Sequence, residues 1–347
     1  MDIPADIEGV IDLAALEAWM DGESLGCGRI DDLRLLPGGT QNILLRFRRG
    51  GDEYVLRRPP SHPRAGNNET MMREARVLAA LAHSDVPHPR LIAACADEAV
   101  IGAAFYLMEP VEGFNAVNGL PSSHADDPAV RHAMGMAIVD AATALGAVDH
   151  VAVGLADFGR TDHFLERQVP RWRKQLESYV GFAGWPGDSG IPGVDRISEW
   201  LERWRPAGFM PGIMHGDFHL ANVMYRPDGP GIAAVVDWEL ATIGDPLLDL
   251  GWLLATWADP DGSNGIVSAT PWAGFPGRDE LIARYRERSE RDLDAVQWYA
   301  VLACFKLGIL LEGSYARACA GKADRASGER LHGLCISLFD RALRWIP

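Results

Sequence analysis

Residues 215 to 225 read HGDFHLANVMY. Two histidines, an aspartate and an asparagine fall within one short stretch, and three chemistries fit that set. His215 and His219, four apart with Asp217 between them, could ligate a metal from a helix. The histidines could instead be hydrogen-bonded loop residues. Or His215, Asp217 and Asn222, at the spacing H-x-D-x-x-x-x-N, could serve phosphoryl transfer. There the aspartate meets an acceptor hydroxyl and the asparagine holds magnesium. Gly216 argues against a regular helix at this point.

The residues that follow favour the third reading. After Asn222 the sequence VMYRPDGPGIAAVVDWE gives an apolar strand, a Pro/Gly turn, a second apolar strand and then Asp237. Kinases carry a second magnesium-ligating aspartate after such a hairpin, in the tripeptide D-F-G; here the tripeptide is Asp237-Trp238-Glu239. Glu239 could help hold the metal or face solvent. Asp245 and Asp249, in ATIGDPLLDLGW, read as capping and bracing residues, and His215 as a loop brace.

Upstream segments supply what a nucleotide would need. PGGTQNILLRF, residues 37 to 47, is a Gly-rich hairpin whose amides near Gly39, Thr40 and Gln41 could cover phosphates, although it is not G-x-G-x-x-G. In the next strand, YVLRR places Arg57 where V-A-I-K kinases put their phosphate-contacting lysine. Glu74 lies on the following helix, where it could orient that cation; alternatively the two form an ordinary surface pair. FYLMEPVEG resembles a connection between lobes. Its backbone at Glu109 and Val111 could bond an adenine edge, with Met108 behind the ring.

The surrounding elements are ordered to position these groups. Alternating apolar runs around GG turns predict antiparallel hairpins in the first third of the chain. Residues 69 to 84 predict one helix, with Met72, Ala75, Leu78, Ala79 and Ala82 on one face. Beyond residue 113 the composition becomes helical, at 129 to 149, 163 to 180, 196 to 205 and from Asp279 onward. Two Gly/Pro-rich stretches, 181 to 193 and 258 to 277, read as loops over a pocket, with Trp185 and Trp272 as candidates for substrate contact. Arg167, Arg171 and Trp172 could meet an anionic substrate group or form a solvated helix face. The expected division is 1–112 for a nucleotide-binding lobe with its hinge and 113–347 for a helical lobe carrying the catalytic loop.

With 347 residues, 48% hydrophobic and 23% charged, the chain has ordinary globular composition. Its formal net charge of −15 argues against a nucleic-acid partner, which a basic stripe would mark. The five cysteines are scattered without a C-x-x-C pair, so neither a disulfide framework nor a thiolate zinc site is expected. The N-terminal sequence, MDIPADIEGV, does not read as a signal peptide, and apolar runs such as GWLLATWA and GILL read as too short for a membrane span. A cytoplasmic protein with no membrane partner is the expectation; the oligomeric state is not legible.

The sequence resembles the aminoglycoside phosphotransferase family, and most closely the branch fused or adjacent to acyl-CoA dehydrogenases. HGDFHLANVMY and VVDWELATIGDPLLDL carry the match, joined by LPGGTQNILLRF, EYVLRRPP, RQVPRW and FKLGILLEGSYARACAGKA. It covers roughly residues 30 to 325. The resemblance implies an α+β, protein-kinase-like two-lobed fold: a small antiparallel-sheet lobe with one helix and a large helical lobe. It also implies ATP, Mg2+ and transfer of the γ-phosphate to a small-molecule hydroxyl, with a hydroxyacyl-type acceptor favoured over an aminoglycoside or amino alcohol. Asp217 would be catalytic, and Asn222 and Asp237 would hold the metal. Gly39, Thr40, Gln41, Arg57, Glu74, Met108, Glu109 and Val111 would hold the nucleotide. The sequence departs from the family at Arg57, where lysine is common, at Gly146 and Ala221, and at Lys306, where arginine is usual. Two rival readings are a nucleotide-binding sensor without turnover and a metal-dependent hydrolase built on His215, Asp217 and His219.

Overall fold

The computed structural model describes residues 11–36, 42–60 and 66–347, and the chain divides into two compact units. The first comprises residues 1–113 together with 233–241; the second comprises 114–232 and 242–347.

The first unit is built on a five-stranded antiparallel sheet. Its strands are β1 (Asp31–Leu35), β2 (Ile43–Arg49), β3 (Asp52–Arg58), β4 (Leu91–Cys95) and β5 (Phe105–Met108), in the order β1-β2-β3-β5-β4. Side chains alternate across a strand, so Leu56 and Arg57 of β3 serve opposite faces. The Leu56 face joins Leu45, Phe47, Tyr54, Phe105 and Leu107 in an apolar core. That core is closed by Leu16 and Met20 of a helix, α1 (Leu13–Gly22), which the sequence reading omits; it allows this lobe a single helix. Arg49 ties α1 down, because its buried guanidinium donates to Asp21 Oδ1, 2.5 Å away, and to the carbonyls of Leu25 and Gly28.

On the other face runs α2 (Asn67–Leu81), rotated from its expected phase. Met71, Glu74, Ala75, Val77, Leu78 and Leu81 are buried, whereas Ala79 and Ala82 are exposed. An apolar-face template leaves a carboxylate outside; Arg57 and Tyr106 draw Glu74 inside and turn the helix with it. Segment 233–241 attaches here through Val235 N–H, which donates to the Pro87 carbonyl (2.8 Å), and Arg73, whose Nη2 donates to the Ala241 carbonyl (3.4 Å).

The second unit carries helices α3 (Ser122–Ala125), α4 (Pro128–Ala147), α5 (Gln168–Glu177) and α6 (Val194–Arg203). Next come the short strands β6 (Gly212–Met214) and β7 (Val223–Tyr225), while β8 (Ile232–Val235) leads into the first unit's segment. After β9 (Thr242–Gly244) the chain ends in α7 (Leu247–Thr256), α8 (Arg278–Arg288), α9 (Val296–Cys319) and α10 (Arg325–Trp345). β6 and β9 pair antiparallel, Met214 opposite Thr242. Of the apolar runs that look too short for a span, GWLLATWA belongs to α7, whereas GILL lies within α9, a 24-residue helix long and apolar enough to cross a membrane. Most of α9 is buried within this unit, from Trp298 to Ala318, where it serves as the core helix.

Two loop expectations change. Trp272 is packed rather than presented: its ring stacks on Phe275 at 4.6 Å and meets Trp257 edge-on at 4.9 Å. Trp185 is half-buried and its indole N–H donates to Glu312 Oε1 at 2.7 Å, which pins loop 181–193 to α9. All five cysteines are free.

Candidate active-site residues

In the first unit a buried ion cluster forms around Arg57. Pairing of β3 with β5 sets Arg57 opposite Tyr106. Arg57 Nε lies 2.9 Å from Glu74 Oε2, and its Nη2 donates to Asp237 Oδ1 at 2.8 Å. Tyr106 donates its hydroxyl to Glu74 Oε2 at 3.0 Å. Arg57 and Glu74 are 7% and 1% exposed, so this is no surface pair. Burial opposes charge on Arg57, yet Glu74 first, then Tyr106 and Asp237, hold the guanidinium protonated well above its usual range. For Glu74 burial wins and lifts the carboxyl to about 7, against the pull of Arg57 and Tyr106. Asp237 itself adopts a left-handed backbone, φ 69° and ψ 63°, uncommon outside glycine and characteristic of functional positions. The carboxylate edge not used by Arg57 faces outward, since Asp237 is 40% exposed.

The hinge expectation becomes more specific. Met108 ends β5, and the Glu109 N–H is spent on the Arg90 carbonyl at 2.9 Å. The Glu109 side chain pairs with Arg90 as well. The groups of this stretch left for an adenine edge are therefore the Glu109 carbonyl and the Val111 N–H. Gly39, Thr40 and Gln41 lie outside the described residues.

In the second unit the catalytic-loop motif connects β6 to β7. Gly216 takes φ 85°, a value glycine adopts without strain, and this turns the chain out of β6. Asp249, in the first turn of α7, accepts the backbone N–H of His215 (2.6 Å) and of Gly216 (2.9 Å). Burial raises Asp249 to about 7, tempered by these two N–H groups and by Lys306. His215 is fully buried, its Nδ1 accepts the Asp217 N–H at 3.3 Å, and its ring meets Phe218 edge-on at 5.9 Å. Bracing is its role within the loop.

Asp217 has both carboxylate oxygens engaged. His219 Nε2 lies 3.2 Å from Oδ1, and Asn222 Nδ2 donates to Oδ2 at 3.1 Å and to the Asp217 carbonyl at 2.9 Å. Burial disfavours its charge, but hydrogen bonds from His219 and Asn222 and the nearby His215 bring it down to about 2. With its amide nitrogen committed twice, Asn222 keeps its oxygen for a ligand. Among the described residues no three His, Cys, Asp or Glu side chains converge as a metal-binding group, so His215, Asp217 and His219 do not form the hydrolase site weighed above. Oxygen donors from an aspartate and an asparagine suit a hard cation such as Mg2+.

Sequence reasoning placed Lys306 among the departures but missed its company. Its ammonium sits 4.6 Å from the Trp252 ring centroid and 5.6 Å from that of Trp172.

The fold is protein-kinase-like: a thermostable aminoglycoside phosphotransferase crystallised with ADP and hygromycin B aligns over 94% of this chain and 98% of its own, with TM-score 0.58 at 16% identity. An ethanolamine kinase of Plasmodium vivax aligns over 90% of this chain and 81% of its own, with TM-score 0.56 at 11% identity. At those identities the likeness concerns the fold alone. A Ralstonia eutropha protein provisionally described as an aminoglycoside phosphotransferase is nearer, at TM-score 0.79 and 30% identity over 96% of this chain and 99% of that one.

The chain belongs to the phosphotransferase enzyme family, whose model matches residues 32–299. It is similar to acyl-CoA dehydrogenase family member 11 of Gallus gallus, 30% identical over 90% of this chain and 40% of that protein. Member 10 of Mus musculus is 29% identical over 94% of this chain and 30% of that protein. The chain thus spans well under half the length of these relatives.

Proposed function

We propose that the protein transfers the γ-phosphate of ATP to the hydroxyl of a small molecule, with Mg2+ as the cofactor and a hydroxyacyl-type compound as the favoured acceptor. The observation that carries this reading is the setting of Asp217, whose half-buried carboxylate is fixed by His219 Nε2 at 3.2 Å and by Asn222 Nδ2 at 3.1 Å on the loop between β6 and β7. A loose phosphoryl-transfer transition state needs that kind of group, one that orients the hydroxyl and accepts its proton late.

Asn222 and Asp237 are the residues we assign to Mg2+. Bound there, the ion would neutralise developing charge on the phosphates. Arg57, held by Glu74 and already paired with Asp237, is assigned to the phosphates nearer the nucleoside. Arginine keeps its charge at any working pH, so its replacement of lysine is compatible with that role. The Glu109 carbonyl and Val111 N–H are assigned to the adenine edge, with Met108 behind it. The names of the relatives, acyl-CoA dehydrogenases, support an acceptor from acyl chemistry over an aminoglycoside.

The test is a mass-spectrometric screen for phosphorylated product with Mg-ATP and a panel of hydroxy acids, hydroxyacyl thioesters, sugars, amino alcohols and aminoglycosides. A product formed by the wild-type protein and absent with Asp217→Asn supports the assignment. Mg-ATP binding without turnover on any member would favour a nucleotide sensor instead.

A further inference from the structure

Two cations share one indole in the second unit. Lys306 Nζ lies 5.6 Å from the Trp172 ring centroid, and the Arg171 guanidinium carbon lies 5.2 Å from it. Neither cation forms an ion pair with a carboxylate among the described residues. Burial first, and Arg171 also, bring Lys306 down to about 8, while Asp249 and Asp217 attract it from a distance. Like charges gathered without a contacting counter-ion call for an anion.

Arg171 also lines a cavity of about 530 Å3. Its wall carries Arg160, Arg167 and Lys174 as well, against one acid, Glu166. Arg167 is fixed by donating to the carbonyls of His163 and Arg160 at 3.1 and 2.8 Å. A cavity with four cations and one acid is the reverse of a chain whose formal charge is −15. Thr242 closes the cavity and pairs with Met214, the residue just ahead of the loop bearing Asp217.

We infer that Arg171 and Lys306, with the basic cavity that Arg171 enters, form the seat of an anionic group carried by the phosphate acceptor. The acceptor is therefore a hydroxyl compound bearing a carboxylate or phosphate, and polycationic aminoglycosides and amino alcohols are repelled. The inference rests on Asp217 marking the acceptor side.

Calorimetric titration of the nucleotide-free protein separates the two readings. The probes are pyrophosphate, 3-hydroxybutyrate, 3-hydroxybutyryl-coenzyme A, choline and kanamycin. At least one anion should bind, weakening as salt rises, and both cations should fail. Arg171→Ala and Lys306→Met should each weaken anion binding about tenfold or more, the value of a lost charged contact, with Mg-ATP affinity retained. Lys306→Arg should restore it, which controls for a folding defect. Binding of the thioester but not the free acid assigns a phosphate handle, and the opposite assigns a carboxylate. No binding by any anion, pyrophosphate included, or anion binding indifferent to both substitutions, overturns the site. If anions bind as described and none is phosphorylated, the seat stands and phosphoryl transfer fails; if they are phosphorylated with KM unchanged in both variants, the reverse holds.

Discussion

Asp249 holds the backbone N–H groups of His215 and Gly216 at 2.6 and 2.9 Å, so a buried carboxylate on α7 fixes the loop immediately ahead of Asp217. Asp249→Ala leaves two buried donors unsatisfied. Each costs about 1–3 kcal/mol, so a stability loss of about 3 kcal/mol is expected in denaturant titration. Turnover should fall in the fraction that stays folded. An alanine variant as stable as the wild type would show that the loop is fixed by something else.

Asp217→Asn keeps the shape of the side chain and removes its charge. Removing a positioned acid–base group typically costs about 10²–10⁴-fold, and we expect a loss in kcat of that order with nucleotide affinity nearly unchanged. Equal losses in kcat and in nucleotide affinity would place Asp217 in nucleotide binding.

Glu74 gives the protein a pH signature. Its folded value, about 7, lies above the ordinary 4.5, so the folded state binds the proton more tightly. That contribution is complete below pH 4.5 and is lost as pH rises through 7. Relative to Glu74→Gln, the wild type should lose stability steadily between those values. Melting curves that stay parallel across the range would show that Glu74 is not held in its protonated form.

Glu312, fully buried, accepts from Trp185 Nε1 at 2.7 Å and from His332 Nδ1 at 2.6 Å. Glu312→Ala should release loop 181–193, read as faster limited proteolysis within it, and should cost about 1–3 kcal/mol for the stranded donors. A cleavage pattern identical to wild type would mean that the loop is held from elsewhere.

Much of the site is legible because its logic is local or sequential. The spacing of His215, Asp217 and Asn222 lies within one loop, and the order of Arg57, Glu74 and Asp237 along the chain announces their cluster. Other features depend on contacts that no window of sequence contains. The phase of α2 follows from the attraction of Glu74 to Arg57 and Tyr106, which outweighs the apolar pattern. α1 escapes notice because its packing partners, Phe47 and Leu56, lie in later strands. Trp272 looks like a loop residue until Trp257 and Phe275 enclose it. Arg171 neighbours Trp172 in the chain, but Lys306 is far away in sequence, and only the fold brings it to the same ring.

The left-handed backbone of Asp237 bears on how this chain can vary. Conformation at that position admits glycine, asparagine and aspartate with least strain. The guanidinium of Arg57 asks for a carboxylate there. The two filters act independently, and their overlap contains one residue type. In a saturation library selected for function, position 237 should therefore tolerate a single letter.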